Sequence, residues 1–212
     1  MKQKLIIIGA GSVGGHIAHN LIDYQLSDFE LLGFLDDDQT KQGTSQFGYP
    51  VFGPVDQIFS FEYELAVVIG IAFPHQKRGL IEKVKNGKNL IFPSLVAAGA
   101  WVSSNVEIGV GSIIYPGVSI NYGSNIGDFV VINMNCSIGH DCAIGDYSSL
   151  APGVNLAGHT VVGVGVDMGI GSCTIQHVAI GSGSIIGGQS MVTNDLKEKS
   201  KVAGIPARSI LK

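Results

Sequence analysis

The sequence predicts a small α/β domain built on a Rossmann-like parallel sheet, followed by a β-solenoid of six-residue repeats. Three observations carry this. The chain opens with a strand, a GxGxxG turn and a helix-like segment. A six-residue period runs unbroken through most of its second half. The charge pattern changes between the two halves, placing the boundary at Lys88/Asn89 and giving domains 1–88 and 89–212.

In the first domain, Lys4–Ile8 is a continuous aliphatic run, read as a buried strand rather than the core of a secretory signal, because only four apolar residues precede the glycines. Gly9-Ala10-Gly11-Ser12-Val13-Gly14 follows, then a predicted helix over Ile17–Tyr24. Glu30–Leu35 is a second strand running into Asp36-Asp37-Asp38. Leu65–Gly70 is a third, and Gln76–Lys85 a second helix. Strands alternating with helices imply a parallel sheet. Glycines at a strand-to-helix turn let backbone N–H groups approach phosphate, and an acid closing the next strand can bond a ribose hydroxyl. Eighty-eight residues are short for a dinucleotide fold, so a mononucleotide or nucleotide-sugar is expected. The residues expected to contact it are Gly9, Ala10, Gly11, Asp36, Asp37 and Arg78.

In the second domain, every sixth residue from Val102 to Val192 is aliphatic or Met in fifteen of sixteen cases, Thr174 being the exception. Four positions after each, from Val106 to Ser190, stands only Val, Ser, Thr or Cys. A hexapeptide period is the signature of a β-solenoid. Each unit supplies one short strand and one turn, and three units close a triangular coil. Coils stack at about 4.8 Å as parallel strands. The aliphatic and the small residue point into a narrow prism, while glycine suits corners with positive φ or close chain approach. Cys136 and Cys142 occupy small inward positions and are read as core. Cys173 falls outside that slot and has no assigned role.

Composition agrees. Glycine accounts for 30 of 212 residues, twice the roughly 7% average, and charged residues are only 14%. Disorder is excluded by the 45% hydrophobic content, and collagen by 7 prolines with no G-X-Y period. A net charge of −4 argues against nucleic acid as partner. Three cysteines make no disulfide framework, which favours a reducing, cytoplasmic setting. Apolar runs such as Leu65–Phe73 fall short of the ~20 residues of a membrane span. From Asn89 to Leu196 there is no Lys or Arg. The tail then carries Lys197, Lys199, Lys201, Arg208 and Lys212.

These features together resemble the NeuD/PglD-like sugar O/N-acyltransferases, hexapeptide-repeat acetyltransferases with a left-handed parallel β-helix. The carriers are Ile8-Gly9-Ala10-Gly11, Gly33-Phe34-Leu35-Asp36-Asp37-Asp38, Ile132-Asn133, Ile138-Gly139-His140-Asp141-Cys142 with Ile144-Gly145-Asp146, Ala151-Pro152-Gly153, Leu156-Ala157-Gly158, and Val202-x-Gly204-x-Pro206-Ala207-Arg208. The resemblance implies a homotrimer binding acetyl-CoA between subunits and acetylating a nucleotide-linked amino sugar. It carries coenzyme A contacts to Gly158, Ile170 and Gly188. The tail cations, Lys201 and Arg208 among them, are placed to meet the cofactor's phosphates.

Acetyl transfer needs a base, and His140 is the expected one, with Asp141 fixing its tautomer. His159 and His177 stand one coil apart. A zinc site like that of β-helical carbonic anhydrases needs a close H-x4-H pair, which is absent, so no metal is expected. In relatives a second histidine contacting coenzyme A falls where this chain has Ser149. The turn histidine common in the family is displaced to His16, and Gly70-Ile71-Ala72-Phe73-Pro74 lacks a polar pair found in relatives, leaving base and sugar open. Sugar O-acetylation and a non-catalytic nucleotide-sugar-binding scaffold are the alternatives.

Overall fold

The computed structural model describes residues 2–210. The chain divides into two compact units at Pro93/Ser94, somewhat beyond the boundary expected from charge. The reason is a short strand, Leu90–Ile91, which pairs in parallel with Leu65–Ile69 and so belongs to the first sheet.

The first unit is a six-stranded sheet with two helices. Its strands are β1 (Gln3–Ile8), β2 (Phe29–Leu35), β3 (Ser45–Gln46), β4 (Tyr49–Gly53), β5 (Leu65–Ile69) and β6 (Leu90–Ile91), in the order β3-β4-β2-β1-β5-β6. All neighbours are parallel except the β3–β4 hairpin. Ile6, Ile7 and Ile8 of β1 and Leu65 to Val67 of β5 are fully buried, as central parallel strands covered on both faces must be.

Helix α1 spans Ser12–His19, not Ile17–Tyr24. It starts directly after Gly11 because three glycines let the turn close. Gly9 has φ +101°, and a side chain at Gly14 would strike the Gly9 carbonyl and sit 3.2 Å from Ile7 and Phe34. One at Gly70 would lie 2.9 Å from the Gly14 Cα, so β5 passes close by the helix start. Helix α2 runs Pro74–Val84, with Pro74 at its start, where the missing N–H costs nothing.

The second unit is a left-handed β-helix of short strands, nearly all of two residues, in three sheets of eight, six and five strands, parallel except where Lys201–Ala203 pairs antiparallel with Arg208–Ser209. Partners stand 18 residues apart as far as the Thr174–Val192 pair: Ile114 pairs with Ile132, Ile120 with Ile138, and Ile126 with Ile144; beyond it Ile186 pairs with Val202, only 16 residues on. The register starts one unit earlier than the sequence suggested, at Leu95–Val96. Inward aliphatics are buried from Ile114 onward, while Val102 and Ile108, on the first strands of their sheets, are only half-buried.

Each coil turns three corners, and from Gly111 to Gln189 one residue at each is left-handed: Gly111, Phe129 and Tyr147 on one edge, Gly117, Asn135 and Gly153 on the next, Gly123, Asp141, His159 and His177 on the third. The glycines that follow the aliphatics serve the other purpose. A Cβ at Gly145 would lie 2.7 Å from the Gly163 backbone of the next coil. The inward serines bridge coils: the Ser148 hydroxyl donates to Gly163 O and accepts from Val166 N–H.

The single irregular hexapeptide is accommodated locally. Thr174 is buried; its hydroxyl pairs with Thr160 at 2.9 Å and accepts from Ala157 N–H at 3.1 Å, where the regular ladder would use a backbone carbonyl. Burial pushes the Cys136 thiol up to about 11 and raises Cys142 as well, which fits their reading as core. No described helix is long and apolar enough to cross a membrane.

Candidate functional site

Two sites emerge, one in each unit. In the α/β unit a cleft of about 390 Å³ opens at the carboxyl ends of β1, β2 and β5, where parallel sheets bind ligands at a reversal of strand order. Its lining includes Gly9, Gly11, Asp36, Asp37, Lys41 and Phe73. The first turn of α1 points free N–H groups toward this region, favouring an anion. Space around Gly11 is open, with no atom within 4 Å of where a side chain would begin.

The three acids do not share one role. The Asp36 carboxylate accepts from Ala10 N–H (2.8 Å), Asp38 N–H (2.9 Å) and Lys41 Nζ (3.0 Å). Partial burial pulls this carboxyl upward, but those bonds outweigh it and hold it below its ordinary value. Asp36 therefore ties the glycine loop to β2 while also lining the cleft. Asp37 accepts from Val55 N–H through Oδ1.

Arg78 does not line the cleft. Its Nε pairs with Glu82 one turn along α2 at 3.1 Å. The cation that does line it is Lys41, which sequence reasoning missed. A signal was there: Lys41 is the one Lys or Arg between Lys4 and Lys77 and stands three residues after the acidic triplet.

On the β-helix, the site is a corner joining the six- and five-stranded sheets. The 18-residue register stacks two columns there. One holds Tyr122, His140 and Gly158; the other holds Gly123, Asp141, His159 and His177. Backbone bonds lock the stack: Asp141 N–H donates to Tyr122 O, His159 N–H to His140 O, and His177 N–H to Gly158 O.

His140 is held on every side. Its Nδ1 lies 2.8 Å from Asp141 Oδ2. An ionised carboxylate only accepts, so Nδ1 carries the hydrogen and Nε2 keeps its lone pair. Tyr122 stacks on the ring at 5.4 Å between centroids and 14° between planes. Gly158 packs against it: a Cβ there would lie 2.6 Å from Nε2. His159 meets His140 edge-to-face at 4.9 Å and stacks flat on His177 at 4.6 Å. Its Nε2 is 3.9 Å from the same Asp141 oxygen. His140, Asp141 and His159 thus bring three ligand-type atoms within 4.8 Å of one another. Tyr122 is the second residue the sequence reading missed, although it precedes His140 by one coil.

The other expected coenzyme contacts separate. Ile170, 60% exposed, and Gly188 share a column at the corner between the eight- and six-stranded sheets, where Gln189 N–H donates to Ile170 O. Gly158 lies at the opposite border of the six-stranded face, so the three do not form one edge. Ser149 is buried, at 5% exposure. Lys197, Lys199, Lys201 and Arg208 are drawn into one cavity of about 480 Å³ with Asp195 and Glu198.

Known proteins show the same architecture. A family model described as the PglD N-terminal domain matches residues 4–84, and one described as bacterial transferase hexapeptide (six repeats) matches residues 123–158. The acetyltransferase domain of PglB from Neisseria gonorrhoeae FA1090, solved with acetyl coenzyme A, is 27% identical with a TM-score of 0.89, over 99% of this chain and 100% of that one. PerB from Caulobacter crescentus, solved with CoA and GDP-perosamine, is 27% identical with a TM-score of 0.89, over 97% and 96%. In both units the chain is similar to the NeuD/PglD-like sugar acetyltransferases.

Variants of the Caulobacter perosamine N-acetyltransferase with a histidine changed to asparagine or alanine match as well, at 25% identity and TM-score 0.88. A chloramphenicol acetyltransferase from Klebsiella aerogenes is 36% identical over 66 residues, 31% of each chain, so the match spans about a third of that curated relative. On the architecture it shares with these proteins, the chain presents a glycine-lined cleft on its sheet and a carboxylate-paired histidine on its β-helix.

Proposed function

We propose that the chain transfers the acetyl group of acetyl-CoA to the amino nitrogen of a nucleotide-linked amino sugar, with His140 as general base. The carrying observation is the His140–Asp141 pair, with Nε2 left as acceptor beside a glycine. The relatives solved with acetyl coenzyme A and with CoA plus GDP-perosamine support both substrates. The histidine substitutions made in the perosamine enzyme support a histidine as base.

The steps follow from charge. The sugar nitrogen attacks the thioester carbonyl carbon while its proton passes to His140 Nε2. Asp141, bonded to Nδ1, stabilises the imidazolium that forms. The former carbonyl oxygen becomes an oxyanion. The Gly158 N–H has no acceptor among the described residues and adjoins the His140 ring, so it is assigned as the donor. Collapse breaks the C–S bond, and the leaving thiolate takes the proton back from His140, giving the amide and coenzyme A.

Gly9, Gly11, Asp37 and Lys41 are assigned to the nucleotide; Ala10, buried with its N–H bonded to Asp36, helps Asp36 brace their loop. Lys201 and Arg208, with Lys197 and Lys199, fit the polyanionic end of coenzyme A because they gather in one cavity and are the only Lys and Arg of the second unit among the described residues. Gly158 and the Ile170/Gly188 column border the six-stranded face, whose central outward residues Ser119, Ser137, Asn155 and Cys173 are small and uncharged, flanked by Trp101 and Met191. A homotrimer with acetyl-CoA between subunits uses that face, and exposed Trp101, Tyr122 and Ile175 suit such packing. Substrates of this kind place the enzyme in the cytoplasm.

The test is coenzyme A release with acetyl-CoA and a panel of nucleotide-linked amino sugars. His140→Ala abolishes turnover with the fold and assembly intact, and retained turnover overturns the assignment. Acetylation of a hydroxyl instead of the amine, read by mass spectrometry, overturns the N-acetyl reading alone.

A further inference from the structure

His159 has no part in the steps above, yet its surroundings are as well defined as those of the base. We propose that His159, backed by His177, is a positioning residue that holds the Asp141 carboxylate in line with the His140 Nδ1–H. The proposal rests on His140 being the general base.

Asp141 Oδ2 lies between two imidazoles, 2.8 Å from His140 Nδ1 and 3.9 Å from His159 Nε2. Asp141 is otherwise poorly restrained. It is an exposed corner residue, and its side chain has no other hydrogen bond among the described residues. A short exposed carboxylate rotates toward water unless something blocks it. His159 stands in that position. Its backbone N–H is anchored to His140 O at 2.9 Å, and its ring meets His140 edge-on at 88°.

His177 completes the support by stacking on the far face of His159, nearly parallel at 8°. All three residues take left-handed backbone, with φ of 55°, 59° and 61°. The side chains therefore leave successive coils in the same direction, and the stack is built into the register. The titratable groups in contact with His159 are Asp141, His140 and His177. The wall also shields one side of the carboxylate from water, which strengthens its bond to His140.

Holding a charged partner in line matters most when the base carries the substrate's proton. The effect is therefore expected in kcat and in the pH profile rather than in substrate binding. His159→Ala is expected to lower kcat about tenfold, part of the ~10²-fold that a 1 Å misplacement can cost. KM for acetyl-CoA and for the sugar nucleotide should stay within about twofold. The pH profile of kcat should change with it, because a carboxylate free to rotate no longer holds the His140 Nδ1–H in one direction. His159→Gln, whose amide N–H can reach Oδ2, should recover most of the rate, whereas a simple stacking role would not be rescued.

Wild-type kcat and pH profile in His159→Ala overturn the proposal. So does a raised acetyl-CoA KM at unchanged kcat, which would make His159 a cosubstrate contact. So does a loss of assembly or melting temperature with normal turnover per folded enzyme. His140→Ala, run alongside, separates the two claims: activity there removes the base assignment itself, whereas an inactive His140→Ala with a fully active His159→Ala removes only the positioning role.

Discussion

The two sites of this chain are assembled in opposite ways. In the α/β unit, cleft residues come from Gly9, Asp36, Lys41 and Phe73, separations set by strand and loop lengths that follow no rule. In the β-helix, Tyr122, His140 and Gly158 meet because each is 18 residues from the next, and Asp141, His159 and His177 do the same. A solenoid converts sequence distance into spatial contact by a fixed translation, whereas a mixed sheet does not. A side chain in the solenoid is therefore constrained by its homologous positions one coil above and below.

The sharpest test of that translation is Gly158→Ala. The new methyl group would meet the His140 ring and tilt the base, and kcat should fall about 10²-fold with the circular dichroism spectrum unchanged. An active Gly158→Ala would break the claim that stacked coils set the catalytic geometry.

A paired change probes the other region. Gly14→Ala places a methyl against the Gly9 carbonyl, Ile7 and Phe34, so it should cost about 1–3 kcal/mol by overpacking, read by denaturant unfolding. Gly11→Ala meets nothing. It should leave stability within about 0.5 kcal/mol yet weaken nucleotide binding by calorimetry, because the methyl projects into the cleft. Equal effects would show that the glycine loop is structural only.

The inward serine column offers a finer contrast. Ser148→Ala removes a hydroxyl that serves two backbone groups of adjacent coils and should cost about 1–3 kcal/mol. Ser172, in the same slot, has a buried hydroxyl without a partner among the described residues. Ser172→Ala should be neutral or stabilising in thermal unfolding.

The smallest effect concerns pH. Because Asp36 is held below its ordinary value when folded, its contribution is complete above the unfolded carboxylate value of ~3.9. It is lost as pH falls through the lower folded value. Asp36→Asn should therefore flatten the acid side of the stability profile of the α/β unit.

Much of this was legible in the sequence. The hexapeptide register named the strands, the core and the two buried cysteines, because a prism this narrow admits only aliphatic and small side chains. His140 and Asp141 stood out for the same reason: neither is an inward position, so neither is explained by packing. The register also held Tyr122 over His140, a relation available from counting eighteen but not read. In the α/β unit, by contrast, the helix start moved to Ser12 because glycine close-packing, invisible to periodicity, decided where the turn closed. Arg78 was taken for a ligand contact on charge alone, and its partner Glu82 lies one helical turn away.

By itself, then, the sequence determined the period, the inward faces and the outward corner place of the His140–Asp141 pair, since repetition leaves one geometry per position. Only the tertiary structure decided which acid braces the glycine loop, that Lys41 supplies the cleft's cation, and that Ile170 and Gly188 occupy a different corner from Gly158. Those contacts depend on where separate segments come to rest against one another, and no local pattern of residues encodes that.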